Sequence, residues 1–362
     1  MTKEKTYRIF GLDLFRSFAI LIVVKEHSSI FLEKIFTKTP NIILPTGSDL
    51  FIVLSGFLLG SHLIKTIEEK QSFNFSLLSN LLKRRWLRTL PNYFLFLIIN
   101  IILVYFGLIK GELNRYIVTY FPLLQNFYKP YDFLFWESWF LTTIEWSYFI
   151  FILALFLLYS IKPLFFKLKF IILFSILFFV FFSIAYRFIL SPKVIDYTYW
   201  DLYIRKTVLC RFDGLGLGFL SAFVKYYYQS FWNKYKNTSF IIGISILFFM
   251  INKYYDPTKY SPMTIAYYFT IIGISIVLLF PKLESLKNEN IPFKPFAFIS
   301  RVSFAMYLIH MPLLQILSNH FSHSNKTEAF FLYSIFWISL LLLSFLVYAF
   351  FEKPIMNLRR ID

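Results

Sequence analysis

Cysteine and charged side chains are scarce in this sequence, and each scarcity excludes a class of protein. The one cysteine, Cys210, leaves no partner for a disulfide within the chain and no cysteine-based metal site. A glycine-rich phosphate-binding loop, an HExxH zinc pair and a GxSxG nucleophile elbow are also missing. We therefore expect no bound metal and no chemistry based on a phosphate-binding loop or a serine elbow.

Hydrophobic residues make up 58% of the 362 residues and charged residues only 16%, with 49 Phe and 25 Tyr. A soluble domain of this length cannot bury so much apolar surface. The sequence therefore predicts an all-α fold, a polytopic integral membrane helical bundle with about ten transmembrane helices. The spans are expected near residues 9–31, 48–64, 89–109, 139–161, 168–190, 206–224, 239–255, 263–281, 296–318 and 329–351.

The basic residues predict the orientation of these spans. With ten spans and both termini cytoplasmic, Lys and Arg are more frequent in the cytoplasmic loops than in the outer loops, as the positive-inside rule requires. The net charge of +17 is spread over the loops, which favours contact with anionic membrane lipids and an anionic cofactor over nucleic-acid binding. We expect a multi-pass protein of the inner (plasma) membrane.

The first span contains five ionisable residues, Asp13, Arg16, Lys25, Glu26 and His27. A helix turns about 100° and rises about 1.5 Å per residue, so Arg16 and His27 share one face, roughly 16 Å apart along the axis. Asp13 precedes Arg16 by three residues and can pair with it. A charge in a span is costly unless it meets other helices or water. The alternative is a local Asp13–Arg16 pair, with the later charges reaching the headgroups.

Six stretches along the chain form an ordered set of motifs. They are RIFGLDLFRSFAILIVVKEH (8–27), GSDLFIVLSGFLLG (47–60), RRWLRTLP (84–91), RFDGLGLGFLSA (211–222), SFAMYLIHMPL (303–313) and FEKP (351–354). In this order the chain resembles the acyltransferase-3 family, integral membrane enzymes that acylate, mostly O-acetylate, extracytoplasmic glycans. One stretch departs from the family: in WFLTTIEWSYF, from Trp139, Glu145 lies one residue later than in the family's Trp-x-Leu-x-x-Glu pattern.

The resemblance implies a single transmembrane acyltransferase domain over residues 1–362. It further implies an acyl-CoA donor, acetyl-CoA in most members, and a glycan hydroxyl as acceptor. Arg85 and Arg88 match the family's paired arginines and would bind the donor's phosphates. Alternatively, these arginines anchor the helix to lipid headgroups at the inner surface.

Acyl transfer to a hydroxyl requires a base, and His27 is the side chain suited to that role near neutral pH. We expect Asp13, Arg16 and His27 to form the catalytic group, with Asp13, Glu26 or Asp49 holding the second ring nitrogen of His27. Arg16 would stabilise the oxyanion or grip the thioester arm. A covalent acyl-histidine is the alternative to direct transfer.

Six further residues are candidates for a channel or a substrate site: Asp49, Ser55, Glu145, Arg211, Asp213 and His310. Two residues apart, Arg211 and Asp213 cannot share a helix face, so each needs a partner on another helix or in water. His310 is either a second functional histidine or a buried structural one. Glu352 is expected to pair with a basic neighbour such as Arg85, and Gly56 to allow close helix packing.

A proton-coupled transporter or a flippase would also carry charges within its spans. Such proteins are typically built from two related halves with matched Gly or Pro interruptions, which this sequence does not show. The sequence leaves open which glycan is acylated, whether the acyl group is acetyl, and the oligomeric state.

Overall fold

The computed structural model describes residues 9–32, 47–130, 134–161, 167–253, 259, 261–287, 293–321 and 325–358. The described residues form helices joined by turns and contain no β-strand. The two chain ends, predicted to be cytoplasmic, lie outside these residues. The prediction of an all-α membrane fold is confirmed, because seven described helices are long and apolar enough to cross a membrane.

Ten described helices contain 16 or more residues. They are α1 (Phe10–Leu32), α2 (Gly47–Lys70), α3 (Phe75–Tyr105), α4 (Ser138–Ile161), α5 (Leu168–Leu190), α6 (Phe212–Tyr227), α7 (Lys236–Lys253), α8 (Pro262–Val277), α9 (Phe293–His320) and α10 (Lys326–Val347). Each overlaps one predicted span, although α3 begins 14 residues before the span predicted at 89–109. Helices α1, α6 and α7 are not among the seven apolar ones, so the count of about ten transmembrane helices remains approximate.

The predicted span near 206–224 begins too early. Val208–Cys210 forms a separate short turn, and α6 starts only at Phe212. Arg211 lies just before the helix with φ −126° and ψ 8°, outside helical geometry. Its side chain turns towards α2, where it forms an ion pair with Asp49. Arg211 therefore precedes the helix and is not part of the span.

Helices α2 and α6 run parallel in close contact because glycines line both surfaces. A Cβ atom on Gly56 would lie 2.3 Å from the carbonyl oxygen of Leu215, and one on Gly218 would lie 2.3 Å from that of Val53. Any side chain here would push the two backbones apart. The predicted packing role of Gly56 is confirmed.

The polar face of α1 lies against α9. Ser17 donates a hydrogen bond to the carbonyl of Phe296 (2.8 Å), and Ser300 donates to Asp13 (2.7 Å). Arg16 donates to Ser300 (3.3 Å) and lies 3.7 Å from Asp13. The predicted Asp13–Arg16 pair is therefore present, and its polar groups face another helix instead of lipid. This packing aligns α1 and α9 in parallel and fixes what lies opposite His27.

Candidate active site

Two histidines meet between α1 and α9. The Nδ1 atom of His27 and the Nε2 atom of His310 are 3.1 Å apart, and Nδ1 of His310 lies 2.6 Å from the carbonyl oxygen of Tyr307. A carbonyl only accepts, so Nδ1 of His310 carries the proton and its Nε2, in the neutral ring, accepts from His27. In that arrangement Nε2 of His27 has a lone pair that can take a proton. A histidine whose ring is oriented by a hydrogen bond at one nitrogen can act as a general base through the other nitrogen.

The structure places His310 at Nδ1 of His27, where Asp13, Glu26 or Asp49 was expected. Asp13 lies more than three helical turns before His27 and binds Ser300. Asp49 forms an ion pair with Arg211. His310 takes the place of a carboxylate because the parallel contact of α1 with α9 puts it opposite His27.

A cavity of about 790 Å³ opens at the end of the bundle where α1 begins, the end predicted to be cytoplasmic. Its walls come from α1, α2, α3, α4, α9 and the segment after α10. Its charged lining residues are Arg16, Arg84, Arg85, Arg88, Arg301, Lys353, Glu145 and Glu352. We call it the basic cavity. The excess of cations suits a ligand that carries several negative charges.

Arg85 is fixed in the wall of the basic cavity by Glu145. Its Nε and Nη2 atoms lie 3.0 and 2.8 Å from the two carboxylate oxygens, and its guanidinium lies 4.7 Å from the centre of the Tyr148 ring. The expected pairing of Arg85 with Glu352 is therefore replaced by a bidentate pair with Glu145. Arg88, one turn further on, is exposed to the cavity.

The deep end of the basic cavity reaches Arg16, Ser55 and Tyr307. Neither His27 nor His310 lines it. Tyr307 nevertheless connects the two sites, because it lines the cavity while its carbonyl accepts a hydrogen bond from Nδ1 of His310. The cavity thus ends one helical turn below the histidine pair.

Arg211 and Asp213 each find a partner on a different helix, as their spacing predicts. Arg211 pairs with Asp49 of α2, and Asp213 pairs with Arg187 of α5 at 2.8 Å. Thr270 of α8 donates to the same Asp213 oxygen at 2.6 Å. None of these side chains lines the basic cavity. They join α2, α5, α6 and α8 at the end of the bundle predicted to face outward.

Three charged residues that the sequence did not single out lie in buried or cavity positions in the structure: Arg187, Arg301 and Lys353. Arg187 and Arg301 lie near the ends of predicted spans, where an arginine reads as part of a loop. The available sequence signal for Arg187 was its position inside an apolar run, where a charge needs a partner. In the structure this side chain is fully buried. Lys353 lies in the FEKP motif, which predicted no role for this lysine.

Comparison with known proteins gives one match. No curated protein matches the chain, and no solved structure does. The family model described as an acyltransferase domain matches residues 9–351, nearly the whole chain. A match of this extent agrees with the multi-pass helical architecture and makes the protein a membrane acyltransferase: the chain belongs to the acyltransferase-3 family.

Proposed function

We propose that this protein moves an acetyl group from acetyl-CoA in the cytoplasm to a hydroxyl of a glycan outside the inner (plasma) membrane, with both chain termini cytoplasmic. One observation carries the proposal: the basic cavity leads from one end of the bundle to a point one helical turn below the His27–His310 pair. A charged donor can therefore enter from one side of the membrane while the base lies near the other.

The cations of the basic cavity are suited to the phosphates of coenzyme A. Arg84 and Arg88 follow each other on one edge of α3, and Arg301 and Lys353 face the same space from α9 and the segment after α10. Charge-assisted contacts to phosphate are about twice as strong as neutral hydrogen bonds. Arg85, held by Glu145, adds positive potential and shapes the wall. The narrow arm of the donor would extend towards Arg16.

Arg16 is better placed to bind the donor's arm than to stabilise the oxyanion. Along α1 it lies roughly 16 Å from His27, and its guanidinium is turned to Ser300 of α9. A carbonyl carbon attacked beside His27 is out of its reach. Of the two roles that the sequence suggested for Arg16, binding of the thioester arm is the one that fits this separation.

In the proposed reaction, Nε2 of His27 removes the proton from the acceptor hydroxyl. The resulting oxygen attacks the thioester carbonyl, a C–O ester bond forms, and the C–S bond breaks. The thiolate of coenzyme A takes the proton back from His27, so the enzyme returns to its starting state. His310 accepts a hydrogen bond from Nδ1 of His27. This hydrogen bond orients the ring so that the lone pair of Nε2 points towards the acceptor hydroxyl.

Inverted membrane vesicles test the proposed function, because their cytoplasmic face is accessible to added acetyl-CoA. With label in the acetyl group, we expect the label to appear in ester linkage on glycan and free coenzyme A to be released in equal amount. Vesicles without the protein provide the blank. A transporter would move label without releasing coenzyme A, and that outcome would reject acyl transfer.

Arg88→Ala should raise the KM for acetyl-CoA about tenfold and leave kcat nearly unchanged. The expected loss is that of one charge-assisted contact, about 1.5–3 kcal/mol, reduced by the exposure of Arg88. Steady-state kinetics against acetyl-CoA measure it. Lys83→Ala is the matched control, since Lys83 lies on another face of α3, outside the basic cavity. Equal effects of the two substitutions would assign Arg88 to headgroup anchoring.

A further inference from the structure

We propose that the rings of Phe51, Phe140 and Tyr307 form a partition that sets the length of the acyl chain reaching His27. We call these three rings the aromatic partition. The inference rests on the proposed function, since it concerns the acyl group of the same donor. It assigns to these residues a role in specificity that their sequence motifs do not indicate.

The aromatic partition is built from three helices that surround the deep end of the basic cavity. Phe51 of α2 and Phe140 of α4 have ring centroids 5.9 Å apart, and the centroids of Phe140 and Tyr307 of α9 are 5.0 Å apart. The hydroxyl of Tyr307 donates to the carbonyl of Glu137 at 2.7 Å. Contact with one another and this hydrogen bond hold the rings in place.

The partition lies between the basic cavity and the histidine pair. All three rings line the cavity, whereas neither histidine does. Beyond it, the centroid of the Tyr307 ring lies 5.5 Å from that of His310, and the His310 and His27 centroids are 5.0 Å apart. A thioester that enters through the basic cavity must therefore pass these rings before its carbonyl reaches His27.

The packing of the rings leaves little room for a long chain. Phe140 is 7% exposed and Tyr307 is 5% exposed, so both rings are surrounded by other side chains. Close-packed interiors yield to added volume only at a cost. An apolar site distinguishes substrates that differ by one methylene about 10- to 200-fold. An acetyl group needs the smallest displacement of the rings, and each further methylene needs more.

Acyl-chain preference tests the partition directly. We would measure kcat/KM for acetyl-CoA and butyryl-CoA in inverted vesicles, whose glycan serves as acceptor, with the full-length wild type and its Phe140→Ala and Phe51→Ala variants. We expect the wild type to prefer acetyl-CoA at least tenfold. The ratio of butyryl to acetyl transfer should rise about tenfold or more in Phe140→Ala, because the central ring contacts both others.

Phe149→Ala is the matched control. Phe149 lies on the same helix, and its ring contacts Trp86 and Trp146 outside the basic cavity, with centroids 6.1 and 5.6 Å away. Its substitution should leave the ratio at the wild-type value. If Phe140→Ala does not fold, Phe140→Leu makes a smaller opening and should shift the ratio in the same direction.

Two results would overturn the partition while leaving the proposed function intact. One is a wild type that uses butyryl-CoA as well as acetyl-CoA. The other is an unchanged ratio in partition variants that still transfer acetyl. A wild type that transfers neither group from coenzyme A would instead reject the proposed function, and the partition with it.

Discussion

His27→Ala is expected to reduce acetyl transfer by about 10²- to 10⁴-fold, the contribution of a positioned base. In the proposed reaction Nε2 of His27 takes the proton of the acceptor hydroxyl, and an alanine side chain has no group that can do so. Because His27 is only half-buried between α1 and α9, the variant should still fold and insert. Labelled acetyl transfer in inverted vesicles, normalised to the amount of protein, measures the loss.

His320→Ala is the control variant, because it removes a histidine that lies outside the proposed site. His320 is exposed at the end of α9, where its Nε2 lies 3.2 Å from the carbonyl oxygen of Leu108, so its variant should keep wild-type activity. Full activity of His27→Ala would remove His27 from the mechanism.

His310 provides a graded form of the same test. His310→Ala removes the acceptor that holds Nδ1 of His27 and should cost about 1–3 kcal/mol of transition-state stabilisation, roughly 10- to 100-fold in rate. His310→Gln can accept the same hydrogen bond through its amide oxygen and should recover part of the activity. A role in packing alone would not distinguish the two variants in this way.

The sequence predicted the features that depend on one helix at a time. Membrane class followed from composition, the shared face of Arg16 and His27 followed from helical periodicity, and the packing role of Gly56 followed from its missing side chain. Each of these arguments uses only local geometry. They were sufficient to place Arg16 and His27 of α1 against another helix of the bundle.

The contacts between helices could not be derived in the same way. His27 and His310 are 283 residues apart in sequence, and Arg85 and Glu145 are 60 apart. Which helices are neighbours, and at what register, decides these pairs, and hydropathy does not contain that information. The sequence therefore suggested carboxylate partners for His27 and a Glu352 partner for Arg85, and the structure replaces both.

The same limit explains why Arg187 was missed. In the sequence, Arg187 is a single basic residue near the end of an apolar span. In the structure its guanidinium is fully buried and donates to the carbonyls of Ala266 (2.7 Å) and Cys210 (2.5 Å) as well as to Asp213. Only the fold shows that this side chain connects α5 to α6 and α8, beside the ion pair of Asp49 and Arg211.

Arg187→Met should lower the free energy of unfolding by about 3–5 kcal/mol, the cost of breaking a buried ion pair from one side. The substitution leaves the carboxylate of Asp213 buried beside Thr270, without the cation 2.8 Å away, and leaves two backbone carbonyls without a donor. Denaturant unfolding in detergent micelles, followed by tryptophan fluorescence, measures the change.

Removing the charges of both Arg187 and Asp213 should lower the free energy of unfolding less than removing the charge of Arg187 alone. In the Arg187→Met, Asp213→Asn double variant no buried charge is left alone, so part of the lost stability should return. Lys65→Met is the control for an exposed pair: Lys65 and Glu69 lie 3.6 Å apart on α2 with side chains 59% and 62% exposed, and such a helical pair contributes only about 0.3–0.5 kcal/mol. If Arg187→Met is no more harmful than Lys65→Met, the buried cluster does not hold the helices together, and its charges would have to be explained by the reaction instead.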